Sequence, residues 1–245
     1  MLTIPELFIE RVNQDPDSIS AWAQSPSPDD QFFLDEPRTI HDGPDGWSPT
    51  TYGEMHRQVA GLAKRLSSLG VTRGTPVAIW ADTSERWSLV DIAIQCLGGV
   101  TVGIYPTLLD DQVLYQLDHS ETAVLLIDTE DKALRALSMH DALDHLAHTL
   151  SLHAGNIVPQ LTPARPDLAW LSEEVKKVSI EHTSTYIYTS GTTGDPKGAL
   201  LVSYVTKPET TRPGHWQDVK NLRTEPMPGA LSERQRKCLT AILCC

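Results

Sequence analysis

PVAIWADTSERWSLVDIAIQCLGGVTVGI, residues 76–104, changes its hydrophobic period twice. Pro76–Ala81 is an unbroken apolar run of strand length, which reads as a strand buried on both faces. From Ser84 to Leu97 the residues Trp87, Val90, Ala93, Ile94 and Leu97 recur at helical spacing along one face, and Gly98-Gly99 ends that pattern. Val100–Ile104 returns to strand. Beyond it, Tyr105-Pro106-Thr107 turns the chain into a further helix through Leu117, and Val124–Ile127 reads as a third strand. Parallel strands need a crossover, and a helix between successive strands supplies one. The alternation therefore predicts an α/β fold, a mostly parallel sheet with flanking helices over 76–81, 100–104 and 124–127, joined by a later strand at 186–188.

Upstream, Thr3 and Glu6 have capping-box spacing with Pro5 in the first turn, and Leu7, Phe8 and Val12 form an apolar stripe, so a helix runs to about Gln14. Ala21-Trp22-Ala23 is a short strand within a Ser/Pro/Asp-rich stretch, and Gln31–Trp47 makes extended segments around Gly43-Pro44-Asp45-Gly46. Thr51 and Glu54 form a second capping box. Met55, Val59, Leu62, Leu66 and Leu69 then mark the clearest amphipathic helix, which Gly70 is placed to end.

Between Asp131 and Glu181, a polar-faced helix interleaved with Leu143, Leu146 and Leu150 is expected, followed by a connector at Pro159–Pro166 and a short strand or helix over Asp167–Val178. His140, His145, His148 and His153 lack metal-ligand spacing, and no metal site is expected among them. Cys96, Cys238, Cys244 and Cys245 make neither a disulfide framework nor a metal motif.

The net charge of −12 argues against nucleic acid as a partner. No apolar run approaches membrane-spanning length, and the N-terminal stretch carries Glu6 and Glu10 rather than a basic leader. The expectation is a cytoplasmic protein with no transmembrane segment.

The chemistry concentrates in YIYTSGTTGDPKGALL, residues 186–201. Gly191, Gly194 and Gly198 remove the Cβ atoms that would keep the backbone from wrapping an anion. Thr189, Ser190, Thr192 and Thr193 offer hydroxyl donors, and Lys197 a mobile positive charge. The pattern suits phosphate. It is not the common phosphate loop, because counting on from Gly191 puts Pro196 where the second glycine should stand.

This stretch resembles the signature [YF]-T-S-G-[ST]-T-G-x-P-K-G of the adenylate-forming enzymes, the AMP-binding family of acyl-CoA synthetases, luciferases and peptide-synthetase adenylation domains, with Asp195 at the variable position. A second likeness covers Ile94 to Glu121, where long-chain fatty acyl-CoA synthetases carry [AC]-x-G-[AG]-V-x-V-P-[IL]-Y-P-T-L and then a helix ending near D-S-[ED]. The chain departs at Gly103 and at His119. Thr51, Tyr52, Glu54 and Met55 resemble a third, helix-docking segment of the family.

The resemblance implies an incomplete N-terminal domain of an acyl-CoA synthetase-like fold over residues 1–201. It also implies ATP-dependent activation of a long-chain fatty acid to acyl-adenylate and then acyl-CoA, with ATP, Mg2+ and coenzyme A as cofactors. Thr189, Ser190, Gly191, Thr192, Thr193, Gly194, Lys197 and Gly198 would hold the β- and γ-phosphates with magnesium. No catalytic residue is assigned, since the family's adenine, ribose and C-terminal lysine motifs have no counterpart in residues 202–245. There the likeness stops and the charge balance turns from −15 (13 Lys/Arg against 28 Asp/Glu) to +3 (7 against 4). Residues 202–245 are expected to be a divergent, disordered tail, read from a retained intron or shifted frame, the rival being a real isoform with a functional tail. The alternatives are a truncated, inactive ligase, a non-catalytic regulatory or binding fragment acting on a full-length ligase, and an unrelated ATPase, which the failed loop spacing disfavours.

Overall fold

Residues 2–24, 47–189 and 197–202 are described by the computed structural model of the chain. In chain order the described elements are α1 (Ile4–Gln14), β1 (Ile19–Gln24), β2 (Trp47–Thr51), α2 (Tyr52–Ser68), β3 (Pro76–Trp80), α3 (Glu85–Cys96), β4 (Val100–Ile104), α4 (Asp110–His119), β5 (Val124–Ile127), α5 (Glu130–Met139), a 3-10 turn at His140–Ala142, β6 (His148–Ser151), α6 (Leu168–Val175), β7 (Thr183–Thr189) and β8 (Lys197–Val202).

Local chemistry sets the helix ends. Thr3 and Glu6 exchange their bonds at the start of α1, with Thr3 N–H donating to Glu6 Oε2 at 2.7 Å and Glu6 N–H to Thr3 Oγ1 at 3.2 Å. Thr51 and Glu54 repeat this at α2, at 2.8 and 3.2 Å. Gly70 (φ +90°) ends α2 and Gly98 (φ +66°) ends α3 in the left-handed region, where a Cβ would be strained.

β6, β5, β3, β4, β7 and β8 lie side by side in one sheet, and β1 pairs with β2 in a separate antiparallel ribbon. Every neighbour in the large sheet is parallel except β8, which runs antiparallel to β7. Alternation divides β3 between two cores. Val77 and Ile79 face a cluster built with α1, α2, α3 and α6, while Ala78 and Trp80 face a second one built with α4 and α5. The crossover from β3 to β4 thus uses α3 on one face. The crossover from β4 back to β5, on the other side of β3, uses α4 on the opposite face. At such a reversal of strand order a crevice opens at the carboxyl ends of the strands, where open α/β sheets bind ligands.

The four expected strands are all members of this sheet, and Asp167–Val178 resolves to helix α6. The expected helix carrying Leu143, Leu146 and Leu150 is not there. Thr129 caps a helix that begins earlier, at Glu130, and closes at Met139. Leu143 and Leu146 follow the 3-10 turn into the second core, and Leu150 lies on β6 in the first. Their spacing mimics a helix because all three are buried, but they sit on different elements. Most of Gln31–Trp47 and of the tail lies outside the described residues; Trp47 opens β2 and Val202 ends β8 across from Thr183. Among the described residues no helix is long and apolar enough to cross a membrane.

Two close approaches give measurable consequences. Gly61, inside α2, meets the connector so closely that an added Cβ would stand 2.7 Å from the Ala164 carbonyl oxygen and 3.1 Å from Pro163 Cβ. The backbone has little room to yield there, since Ala164 N–H donates to Gly61 O at 3.0 Å. Gly61→Ala gains about 1 kcal/mol of helix propensity but overpacks the contact at about 1–3 kcal/mol or more. The two nearly cancel at the low end, and the expected outcome is a fall of up to about 8 °C in Tm with no gain, read by calorimetry.

Between α3 and β4, the Asp91 carboxyl accepts from Thr101 Oγ1 at 2.6 Å and from Gln95 Nε2 at 3.0 Å. Burial raises its pKa, and the two hydrogen bonds only partly offset that. The folded state therefore binds this proton more tightly than the unfolded state, and its contribution to stability falls as pH rises from the ordinary carboxyl value of about 4 through the raised one. Urea midpoints from pH 4 to 8 should show Asp91→Asn gaining on the wild type as pH increases. A difference constant with pH would refute this assignment.

Candidate phosphate-binding hairpin

The site is built from the outward end of β7. β4 and β7 pair in parallel with Thr101 beside Thr185 and Val102 beside Tyr186. Continued at the same spacing, this register sets Tyr188 level with Ile104, the last residue of β4. The chain thus leaves β7 at the carboxyl edge of the sheet, beside the reversal of strand order, and returns along β8. Thr189 pairs with Lys197, Tyr188 with Gly198, Ile187 with Ala199 and Tyr186 with Leu200. The connection 190–196 is longer than the about two to five residues of an ordinary hairpin loop.

Of the eight residues assigned to phosphate, three are described. Thr189 is exposed at the end of β7, Lys197 opens β8 directly across from it, and Gly198 is buried opposite Tyr188. The pairing brings the first and the last members of the motif together at the mouth of one hairpin. Ser190, Gly191, Thr192, Thr193 and Gly194 lie outside the described residues.

Glycine at 198 has a local reason. A Cβ there would stand 3.2 and 3.3 Å from Cε1 and Cζ of the Tyr188 ring, which lies across the β8 backbone. Tyr188 is buried, and its hydroxyl is 2.8 Å from Nδ1 of His119, the last residue of α4. Tyr115, one helical turn earlier, stacks on His119 with centroids 5.3 Å apart, and Tyr188 meets both rings edge-on at 6.5 and 5.7 Å. Tyr186 is buried in the same core, and its hydroxyl is pushed up to about 12 by burial, reinforced by the charge of Glu121. Ser184 Oγ donates to Leu201 O at 3.2 Å, a side-chain link across the hairpin.

Sequence reasoning treated His119 only as a departure from a pattern and did not connect it with Tyr188. The legible signal was the i,i+4 spacing of Tyr115 and His119 on one helix face. Of the histidines singled out in the sequence, His140 lies in the 3-10 turn, His148 on β6, and His153 Nδ1 faces Arg86 Nη1 at 2.6 Å. Arg86 is a donor only, so His153 accepts through Nδ1. Among the described residues, no three His, Cys, Asp or Glu side chains converge as metal ligands. Cys96 is buried, with its thiol raised by burial and by the charge of Asp91, so it is not a reactive nucleophile.

A family model described as AMP-binding enzyme matches residues 21–204. A long-chain-fatty-acid–CoA ligase of Mycobacterium bovis is 34% identical over 190 residues, covering 76% of this chain and 31% of the relative. A 2-succinylbenzoate–CoA ligase of Bacillus cereus is 30% identical over 151 residues, covering 62% and 27%. The chain therefore matches less than a third of the length of these curated relatives. Among solved structures, a Rhodopseudomonas palustris protein described as a long-chain-fatty-acid CoA ligase superposes with a TM-score of 0.63 at 16% identity, over 82% of this chain and 44% of the other. That last likeness is one of fold.

Gly198→Ala tests the packing of the hairpin. The Tyr188 ring must retreat by a few tenths of an ångström, against His119 and Tyr115, so amide hydrogen exchange at Tyr188 and Ala199 should quicken about tenfold. Unchanged exchange would show that the ring yields without cost.

Proposed function

The chain belongs to the AMP-binding enzyme family, and from that membership we propose that its β7–β8 hairpin is the triphosphate grip of an ATP-dependent acid–thiol ligase of the fatty acid–CoA ligase type. The observation that carries this is the pairing of Thr189 with Lys197 at the carboxyl edge of the sheet, which closes a hydroxyl- and glycine-rich connection with a lysine at its mouth. The long-chain-fatty-acid–CoA ligase at 34% identity supports a fatty acid as the acid; a cytoplasmic setting is part of the same proposal.

In the proposed reaction a carboxylate oxygen bonds to the α-phosphorus of ATP. The bond from that phosphorus to the bridging oxygen breaks, and pyrophosphate leaves with the electron pair. A thiol, coenzyme A, then takes the acyl group and releases AMP. The role proposed for this segment is at the leaving end. Backbone N–H groups at Gly191 and Gly194, the hydroxyls of Thr189, Ser190, Thr192 and Thr193, and the Lys197 ammonium would neutralise the β- and γ-phosphates as charge builds on them, with Gly198 letting the strand pass Tyr188. Magnesium would arrive with the triphosphate, held by its oxygens and the loop hydroxyls, and would supply further charge neutralisation there.

Holding one end of the nucleotide is not adenylation. In-line placement of reacting groups is worth roughly 7–11 kcal/mol of barrier, and it needs the α-phosphorus and the carboxylate fixed as well. We propose that the 245-residue chain by itself grips phosphate and does not form acyl-adenylate, which accords with its matching less than a third of the related ligases.

Calorimetric titration and ATP–pyrophosphate exchange with fatty acids of several lengths test both halves. ATP and magnesium tripolyphosphate should bind with equal, weak affinity, reduced about tenfold or more in Lys197→Ala, and exchange should stay at background. Equal binding by wild type and Lys197→Ala would overturn the phosphate assignment. Exchange that vanishes in the variant would show that the chain is a complete enzyme.

A further inference from the structure

We propose that His119 is a positioning residue for this hairpin, acting through the Tyr188 hydroxyl to hold the backbone of Gly198, and with it Lys197, in register across from Thr189. The inference rests on the reading of the hairpin as a phosphate grip.

The chain of contacts is short. α4 is fixed to the sheet by Val113 and Leu117, both buried in the second core. His119, its last residue, is stacked on Tyr115 at 5.3 Å, which sets the plane of the imidazole. Nδ1 then lies 2.8 Å from the Tyr188 hydroxyl. A tyrosine ring held only by packing could still slide in its own plane. A hydrogen bond at its far end fixes that remaining degree of freedom, because the bond weakens steeply with distance and angle. The fixed ring lies on Gly198 closely enough that even a methyl group there would crowd it. Gly198 is the neighbour of Lys197 and the pairing partner of Tyr188, the residue before Thr189. The imidazole therefore fixes the last strand pair beneath the mouth of the hairpin without itself reaching a phosphate. His119 belongs to a helix 69 residues away from Tyr188 along the chain, so this is a tertiary restraint on the hairpin and not a feature of the loop motif.

A purely structural role would have a different signature. Removing either partner alone takes a hydrogen bond from the half-buried polar group opposite, which lowers stability, whereas replacing both with apolar rings of similar shape restores it. If the hydrogen bond positions the hairpin, affinity does not return with stability. The experiment uses the full 245-residue chain and magnesium tripolyphosphate as probe, with calorimetric titration and thermal melting of wild type, His119→Phe, Tyr188→Phe and the double variant. Tyr188→Phe deletes one oxygen and guards against loss of folding in the histidine variant. The expected result is a three- to tenfold weaker affinity, about the effect of one lost hydrogen bond, in both single variants and in the double variant alike, with Tm lowered in the singles and recovered in the double.

If affinity recovers with Tm in the double variant, or if Tyr188→Phe binds as tightly as wild type, the positioning role is overturned while the phosphate reading stands. If wild type and Lys197→Ala already bind the probe equally, the phosphate reading falls first and takes this inference with it.

Discussion

β3 is hydrogen-bonded on both sides, to β4 and β5, and Val77, Ala78, Ile79 and Trp80 are all fully buried. A strand in that position can carry no charged side chain and no unpaired backbone group without a cost of several kcal/mol, roughly the free energy of an unmet buried polar group or more. The constraint propagates outward. Parallel partners on both sides require crossovers, the crossovers must cover both faces, and the faces are therefore taken by α3 on one side and α4 and α5 on the other. Once five strands run the same way, all their carboxyl ends lie along one edge, and a connection leaving β7 opens there.

β8 breaks the parallel rule because it is reached without a crossover. Its antiparallel return converts an ordinary βα exit into a hairpin whose two rims, Thr189 and Lys197, are locked together by the backbone ladder. A parallel strand followed by a helix would fix only one rim. The arrangement also explains the burial of Tyr186 and Tyr188. Alternate residues of β7 face the second core, so the aromatic side chains that precede the loop anchor it through packing while Ile187, between them, is exposed.

The sequence was legible wherever a local rule had no competitor. Capping boxes at Thr3 and Thr51, glycine stops at Gly70 and Gly98 and the apolar runs of β3, β4 and β5 can be read one element at a time, and each was found where its chemistry placed it. Legibility failed where neighbours in space decide. Leu143, Leu146 and Leu150 share helical spacing, yet the pairing of Leu150 with Leu126 of β5 makes β6 a strand, and only the sheet supplies that pairing. β8 could not be read from Lys197–Val202 alone, because its partner Thr183–Thr189 gives it its conformation. At the candidate site the motif names the loop residues and gives no hint of what holds them. The contact of His119 with Tyr188 is set by docking of α4, and no spacing rule spans it.

The charge distribution limits how such a grip can work. The chain carries a net charge of −12, and residues 1–201 are more acidic still, at −15 from 13 Lys/Arg against 28 Asp/Glu, so its long-range field repels a triphosphate. Electrostatic steering cannot assist association here. For the proposed grip, attraction would have to come from groups within contact distance, since distant carboxylates are screened beyond a Debye length of about 8 Å at physiological salt. A grip that depends on contact rather than field gains nothing from additional surface lysines and loses steeply with small displacements of its donors. That places the demand on backbone geometry at Tyr188 and Gly198, where a buried aromatic ring and a residue without a side chain leave the two strands a single way to fit together.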